Sequence, residues 1–186
     1  MTEQPGQPVL YVIACATPAA RDVGKLVTLA QTDGWTVCVI ATPSAMRFID
    51  AQALEQQTGY PVRSDYKQPG TPDVLPPADA IIVGGASFNT INKWAAGISD
   101  TLALGLVTEA IGLRLPLVAL PYLNAAQAAH PAFRRSVKEL REAGVTVLLG
   151  PDGYEPHVPH QGSQHLPRYP WGRALDAIAE LQRGRG

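Results

Sequence analysis

Small polar residues collect wherever an apolar run of this sequence ends. Thr17-Pro18-Ala19 follows residues 9–16 (VLYVIACA), Thr42-Pro43-Ser44 follows 35–41 (WTVCVIA), and GGASFNT (84–90) closes 78–84 (ADAIIVG). Pro121-Tyr122-Leu123-Asn124 follows 115–120 (LPLVAL), and Gly150–Gly153 follows 145–149. Small side chains let backbone N–H groups approach a phosphate, hydroxyls add donors, and the N-terminus of a following helix favours negative charge. Turned toward one point, the first three turns would make an anion site without a lysine. The same turns also arise as plain helix caps. Neither the P-loop pattern nor GxGxxG occurs, which argues against ordinary ATP or NAD binding.

All four histidines lie late in the chain, at His130, His157, His160 and His165. The last three stand in a proline-rich stretch, EPHVPHQGSQH. Three such nitrogens could hold a metal with one position open, and one of them could serve as an acid or base. The plainer alternative is a solvated loop folded over a pocket, and no metal site is assigned. Tyr122, beside Asn124, either reaches a ligand or is simply buried. Trp35 and Trp94 read as core, and Trp171 either pins the C-terminal loop or flanks the pocket. Arg21 and Asp22 read as a solvated helix start.

The elements that must position these groups follow from periodicity. The five apolar runs read as strands covered on both faces. Between them, helices are expected at 21–32, at 44–57 with Ser44 or Thr42 as cap, at 88–96, at 101–111 capped by Asp100, and at 132–143. A last amphipathic helix is expected at 171–182. Strands alternating with helices give the α/β class: one domain, a Rossmann-like three-layer sandwich whose mostly parallel sheet carries helices on both faces. Ligands of such folds bind beyond the carboxyl ends of the strands, where the small polar turns fall. The expected organisation is a disordered N-terminus at 1–8 and a domain at 9–183 that includes an irregular loop at 150–170.

Composition sets bounds on partners. With 46% hydrophobic residues the chain has ample material for a core, so general disorder is excluded. Fifteen basic residues against sixteen acidic ones leave a net charge of −1, so neither nucleic acid nor an anionic membrane is expected as a partner. No apolar run approaches the ~20 residues of a membrane span, and the first residues lack the pattern of a signal peptide. Cys15 and Cys38 sit inside apolar runs and read as reduced core thiols of a cytoplasmic protein.

Residues 85–102 (GASFNTINKWAAGISDTL) resemble the PASANTxxKxANGxxDNLL segment of the homo-oligomeric flavin-containing cysteine decarboxylases, with Ser87, Asn89, Thr90, Lys93, Gly97 and Asp100 in register. That family includes phosphopantothenoylcysteine decarboxylase and the lantibiotic peptidyl-cysteine decarboxylases. Pro121-Tyr122-Leu123-Asn124 with His130-Pro131 is similar to its PxMNxxMWxNP, and the turns at 14–20 and 42–48 fall where its first two loops do. The resemblance covers about residues 9–150. It implies FMN as cofactor, contacted by Thr17, Ala19, Thr42, Ser44, Phe48, Ala86, Ser87, Asn89 and Thr90. It also implies a small-molecule or peptide substrate whose carboxylate meets Asn124 as the catalytic residue, and a trimer or dodecamer. The chain departs from the pattern where the family carries a catalytic histidine some fifteen residues before the SxNT turn. That position falls near Thr71, and a threonine hydroxyl cannot replace imidazole as a base. The Met-Trp pair has become Gln127-Ala128, and no cysteine follows Cys38 to match the family's substrate clamp. The expected function is therefore an FMN-binding redox enzyme acting on a small or peptidyl carboxylate. A non-catalytic flavin-binding or regulatory subunit of the same fold is the alternative.

Overall fold

The computed structural model describes residues 6–184. Five strands, β1 (Val9–Ala14), β2 (Thr36–Ala41), β3 (Ala80–Ala86), β4 (Leu117–Pro121) and β5 (Thr146–Val147), form one sheet in the order β2-β1-β3-β4-β5. Every pairing is parallel. Side chains alternate along each strand, and both sets are apolar. Leu10, Val12 and Ala14 face one layer with α1 (Val23–Thr32) and α7 (Trp171–Arg183). Tyr11, Ile13 and Cys15 face the other, with α3 (Phe88–Ala95), α4 (Leu102–Gly112) and α6 (Pro131–Glu142). Burial on both sides is why the strands read as continuous apolar runs, and the expected α/β sandwich is what the chain adopts. Cys15 and Cys38 are free and buried.

The turns after β1 and β2 each begin with a short 3-10 helix, Pro18–Asp22 and Pro43–Arg47, with proline at its start. The second is separate from α2 (Ala51–Thr58), so neither Thr42 nor Ser44 caps that helix. Asp50 does, its Oδ1 accepting the Ala53 N–H at 3.0 Å. Asp100 likewise yields the cap of α4 to Thr101, whose Oγ1 accepts the Leu104 N–H at 3.2 Å. Asp100 pairs with Lys93 instead. A short helix, α5 (Ala125–Ala129), is not among the expected elements and is started by a capping box between Asn124 and Gln127.

β3 runs past Gly84 through Gly85 to Ala86, with a register shift against β4 between Gly84 and Ala86. Of the N-terminal stretch 1–8, residues 1–5 lie outside the described residues. Residues 6–8 are exposed, and the Pro8 carbonyl accepts the Thr36 N–H at 2.9 Å.

Candidate functional site

From β1 the chain adds β2 on one side and β3, β4 and β5 on the other. The loops leaving β1 and β3 therefore diverge and open a crevice at the carboxyl edge of the sheet, where ligands of open α/β sheets bind. A cavity of about 740 Å³ lies there, within the ~300–1,000 Å³ usual for ligand sites. Thr17, Thr42 and Ser44 line one side and Ser87, Asn89 and Thr90 another. Leu123, Asn124 and Gln127 come from the end of β4. The C-terminal loop adds a further wall, through His157, His160 and Gly162.

The register shift in β3 is held from three directions. Gly85 has φ +62°, and a Cβ there would stand 2.6 Å from Thr17 Oγ1. The Thr17 hydroxyl donates to the Gly85 carbonyl at 3.1 Å. Tyr169, from the C-terminal loop, accepts the Gly85 N–H at 3.1 Å and donates toward the carbonyls of Leu120 (2.7 Å) and Pro121 (3.0 Å). The indole of Trp171 lies so close to Gly84 that a Cβ there would meet its ring at 2.8 Å. Two glycines in sequence thus admit a hydroxyl and an indole, and the chain leaves the sheet at Ser87.

Ser87 caps α3, its Oγ accepting the Thr90 N–H at 3.1 Å and sharing a hydrogen bond with Thr90 Oγ1 at 3.0 Å. The first two N–H groups of α3, those of Phe88 and Asn89, precede any intrahelical acceptor. The helix dipole adds partial positive charge at this point. Beneath the turn, burial pushes the Cys15 thiol pKa up from its ordinary value; hydrogen bonds from the Thr90 side chain and the Ser87 backbone oppose the rise. Cys15 is a neutral core thiol at neutral pH.

The structure brings seven of the ten expected site residues to the cavity: Thr17, Thr42, Ser44, Ser87, Asn89, Thr90 and Asn124. The other three stand behind it. Ala19 and Ala86 are fully buried, and Phe48 is half-buried against the core on the α1 face. Asn124 uses its Oδ1 to accept the Gln127 N–H at 2.9 Å. Lys93 also reaches the wall, a cation the sequence reading did not place in the site, with its ammonium on the Asp100 carboxylate. Thr71 is exposed and lines a separate hollow with residues of the 61–74 segment.

From the sequence alone, the C-terminal loop is open between metal, catalysis and cover. The structure folds it over the cavity: the Ala125 N–H donates to the His157 carbonyl at 2.7 Å, tying the loop to the end of β4. His157 is buried, and its Nδ1 pairs with the Tyr154 hydroxyl. Burial, and to a lesser degree His165, lowers the His157 pKa, while burial raises that of the Tyr154 phenol. Among the described residues, no three His, Cys, Asp or Glu side chains converge as metal ligands. Tyr122 is buried and also lines the cavity. Trp35 and Trp94 are core, as read, and Trp171 packs against the sheet.

A family model described as Flavoprotein matches residues 2–168. The chain is 31% identical over 127 residues to the coenzyme A biosynthesis bifunctional protein CoaBC of Bacillus subtilis, which covers 65% of this chain and 30% of that protein. It is 27% identical over 152 residues to phosphopantothenoylcysteine decarboxylase of Arabidopsis thaliana, covering 77% of this chain and 72% of that one. The chain thus spans under a third of the bifunctional relative. Its fold is similar to that of the FMN-dependent cysteine decarboxylase TvaF from thioviridamide biosynthesis, with TM-score 0.71 and 23% identity over 94% of this chain and 99% of that one. No helix among the described residues is long and apolar enough to cross a membrane.

Proposed function

Since the chain belongs to the Flavoprotein family, we propose that the cavity at the carboxyl edge of its sheet holds FMN and that the protein oxidises a small or peptidyl carboxylate there. The observation that carries this reading is convergence. Three turns whose residue types suit a phosphate, 17–19, 42–44 and 87–90, are far apart in sequence and contribute to one cavity of cofactor size. The residues present fit the group. The N-terminus of α3 and the hydroxyls of Thr42 and Ser44 would take the phosphate, and no Asp or Glu among the described residues lines the cavity to repel it. Bound flavin would supply the two-electron acceptor. The chain's own part is to orient, exclude water and hold the substrate carboxylate, with Asn124 at the end of β4 placed to meet it.

A second reading, a flavin-binding or regulatory subunit without turnover, draws on Thr71. It stands where the resemblance places a catalytic histidine, and it is exposed and outside this cavity. Absorbance spectroscopy of the purified protein tests the shared premise: a flavin spectrum, or uptake of added FMN, is expected, and neither appearing would overturn both readings. Anaerobic mixing with thiol-bearing carboxylates then separates them. Bleaching marks turnover, and an unchanged spectrum across a broad panel marks the binding role.

A further inference from the structure

Two residues other than glycine have positive φ among the described residues, Arg114 at +57° and His160 at +69°. Arg114 directly follows the C-cap of α4, where a left-handed residue is ordinary. His160 has a different setting. The Gln161 N–H donates to the Val158 carbonyl at 3.1 Å, closing a turn with Pro159 and His160 at its centre. Proline cannot take a positive φ, so this is a type II turn, whose third position normally holds glycine or asparagine. Here it holds an imidazole. Backbone strain of this kind persists where the surroundings impose it, and it gathers at working sites.

The surroundings are the cavity wall. On one side of the turn, the His157 carbonyl accepts the Ala125 N–H at 2.7 Å. On the other, the backbone of Gly162 packs on two rings, so that a Cβ there would come within 2.8 Å of His157 Nε2 and of Tyr122 Oη. Anchored at both ends, the turn presents His160, which is exposed and lines the cavity.

The titratable side chains on that wall, among the described residues, are Lys93, Tyr122, His157 and His160. Lys93 keeps its ammonium on the Asp100 carboxylate. Burial pushes the Tyr122 phenol pKa up, so the phenol stays protonated at neutral pH. His157 is buried, with Nδ1 on the Tyr154 hydroxyl and Nε2 covered by Gly162. Of the four, only His160 joins the chemistry of a base to an open path toward both ligand and solvent.

We propose that His160 is the acid–base catalytic residue of this cavity, accepting the proton that oxidation of the substrate releases. The proposal rests on the turnover reading above and names the group that reading needs. In a thiol-bearing carboxylate, the S–H bond breaks and its proton passes to the His160 imidazole. The neighbouring C–H bond gives its hydrogen and electron pair to the flavin, and a carbon–sulfur double bond forms. The imidazole then releases the proton to water, which its exposure permits.

His160→Gly tests the assignment without endangering the fold, since glycine suits a positive φ. The variant should melt at or above the parental temperature. Anaerobic bleaching of bound FMN by N-acetyl-L-cysteine, or by a short peptide ending in cysteine, should slow at least about 100-fold. Added imidazoles should restore the rate in order of their basicity, which a purely structural role would not produce. A second readout needs no turnover. N-acetyl-L-serine, with a hydroxyl in place of the thiol, is titrated into the full chain with and without FMN. It should move the His160 ring signals in nitrogen NMR and leave those of His130 in place. Parental bleaching in the variant, a loss that no imidazole repairs, a lower melting temperature or unmoved His160 signals would each overturn the assignment. Absence of bleaching in the unaltered protein would instead overturn the turnover reading beneath it.

Discussion

Thr17, Ser87 and Asn89 differ in what they can still offer a ligand. Thr17 is committed to the Gly85 carbonyl and Ser87 to the cap of α3. Asn89 is exposed on the first turn of α3, and its side chain makes no hydrogen bond among the described residues. Asn89→Trp should therefore abolish FMN retention, read by absorbance after gel filtration, while leaving the melting temperature within about 2 °C of the parent. Flavin held at the parental level would count against the phosphate end assigned here. His157 gives a pH prediction at the same scale. Burial holds its pKa below the ordinary histidine value, so the unfolded chain binds the proton more readily. Stability from this group is complete above pH ~6.5 and falls as the pH drops toward the native pKa. Melting temperatures between pH 7.5 and 5 should decline more steeply for the parent than for His157→Gln, and parallel curves would refute the assignment. His165 and Tyr154 share this environment and are retained in both proteins.

At the scale of elements, the site depends on how β3 leaves the sheet. Gly85→Ala combines a left-handed backbone with a Cβ at 2.6 Å from Thr17 Oγ1, for which about 1–3 kcal/mol of destabilisation is expected. Tyr169→Phe leaves the buried Gly85 N–H without its acceptor, at a cost of about 1–3 kcal/mol. Urea unfolding measures both, and because both residues bear on one peptide, the double variant should cost less than the sum. Some of this was legible in the chain. Gly-Gly at a strand end marks a place where something approaches the backbone closely, and Asn124-x-x-Gln127 is a capping-box pattern that signals α5. The cap of α4 passed from Asp100 to its neighbour Thr101 because Lys93, seven residues earlier, pairs with the aspartate. A cap choice settled by a cross-element ion pair cannot be read from local spacing.

For the whole molecule, ligand linkage supplies the broadest check. FMN at about 100 times its Kd should stabilise the fold by about 2.7 kcal/mol, seen as a rise in melting temperature that adenosine triphosphate does not reproduce. Light scattering tests the trimer or dodecamer that the resemblance implies: a monomer at micromolar concentration would remove the oligomer from the reading.

The sequence by itself determined the strands, their burial on both faces and the small polar turns at their carboxyl ends. These depend on residue period and on proline and glycine breakers, which act within a few residues. It also carried the family resemblance, through a segment whose residues keep register in one short stretch. Only the tertiary structure decided which turns meet, because the order β2-β1-β3-β4-β5 is set by packing between distant segments. The same holds for Tyr169, which bridges β3 and β4 from a loop more than forty residues away, and for the pairing of Tyr122 with His157 beside Gly162. Side chains from separate loops converge through the sheet and its register, which no local pattern encodes.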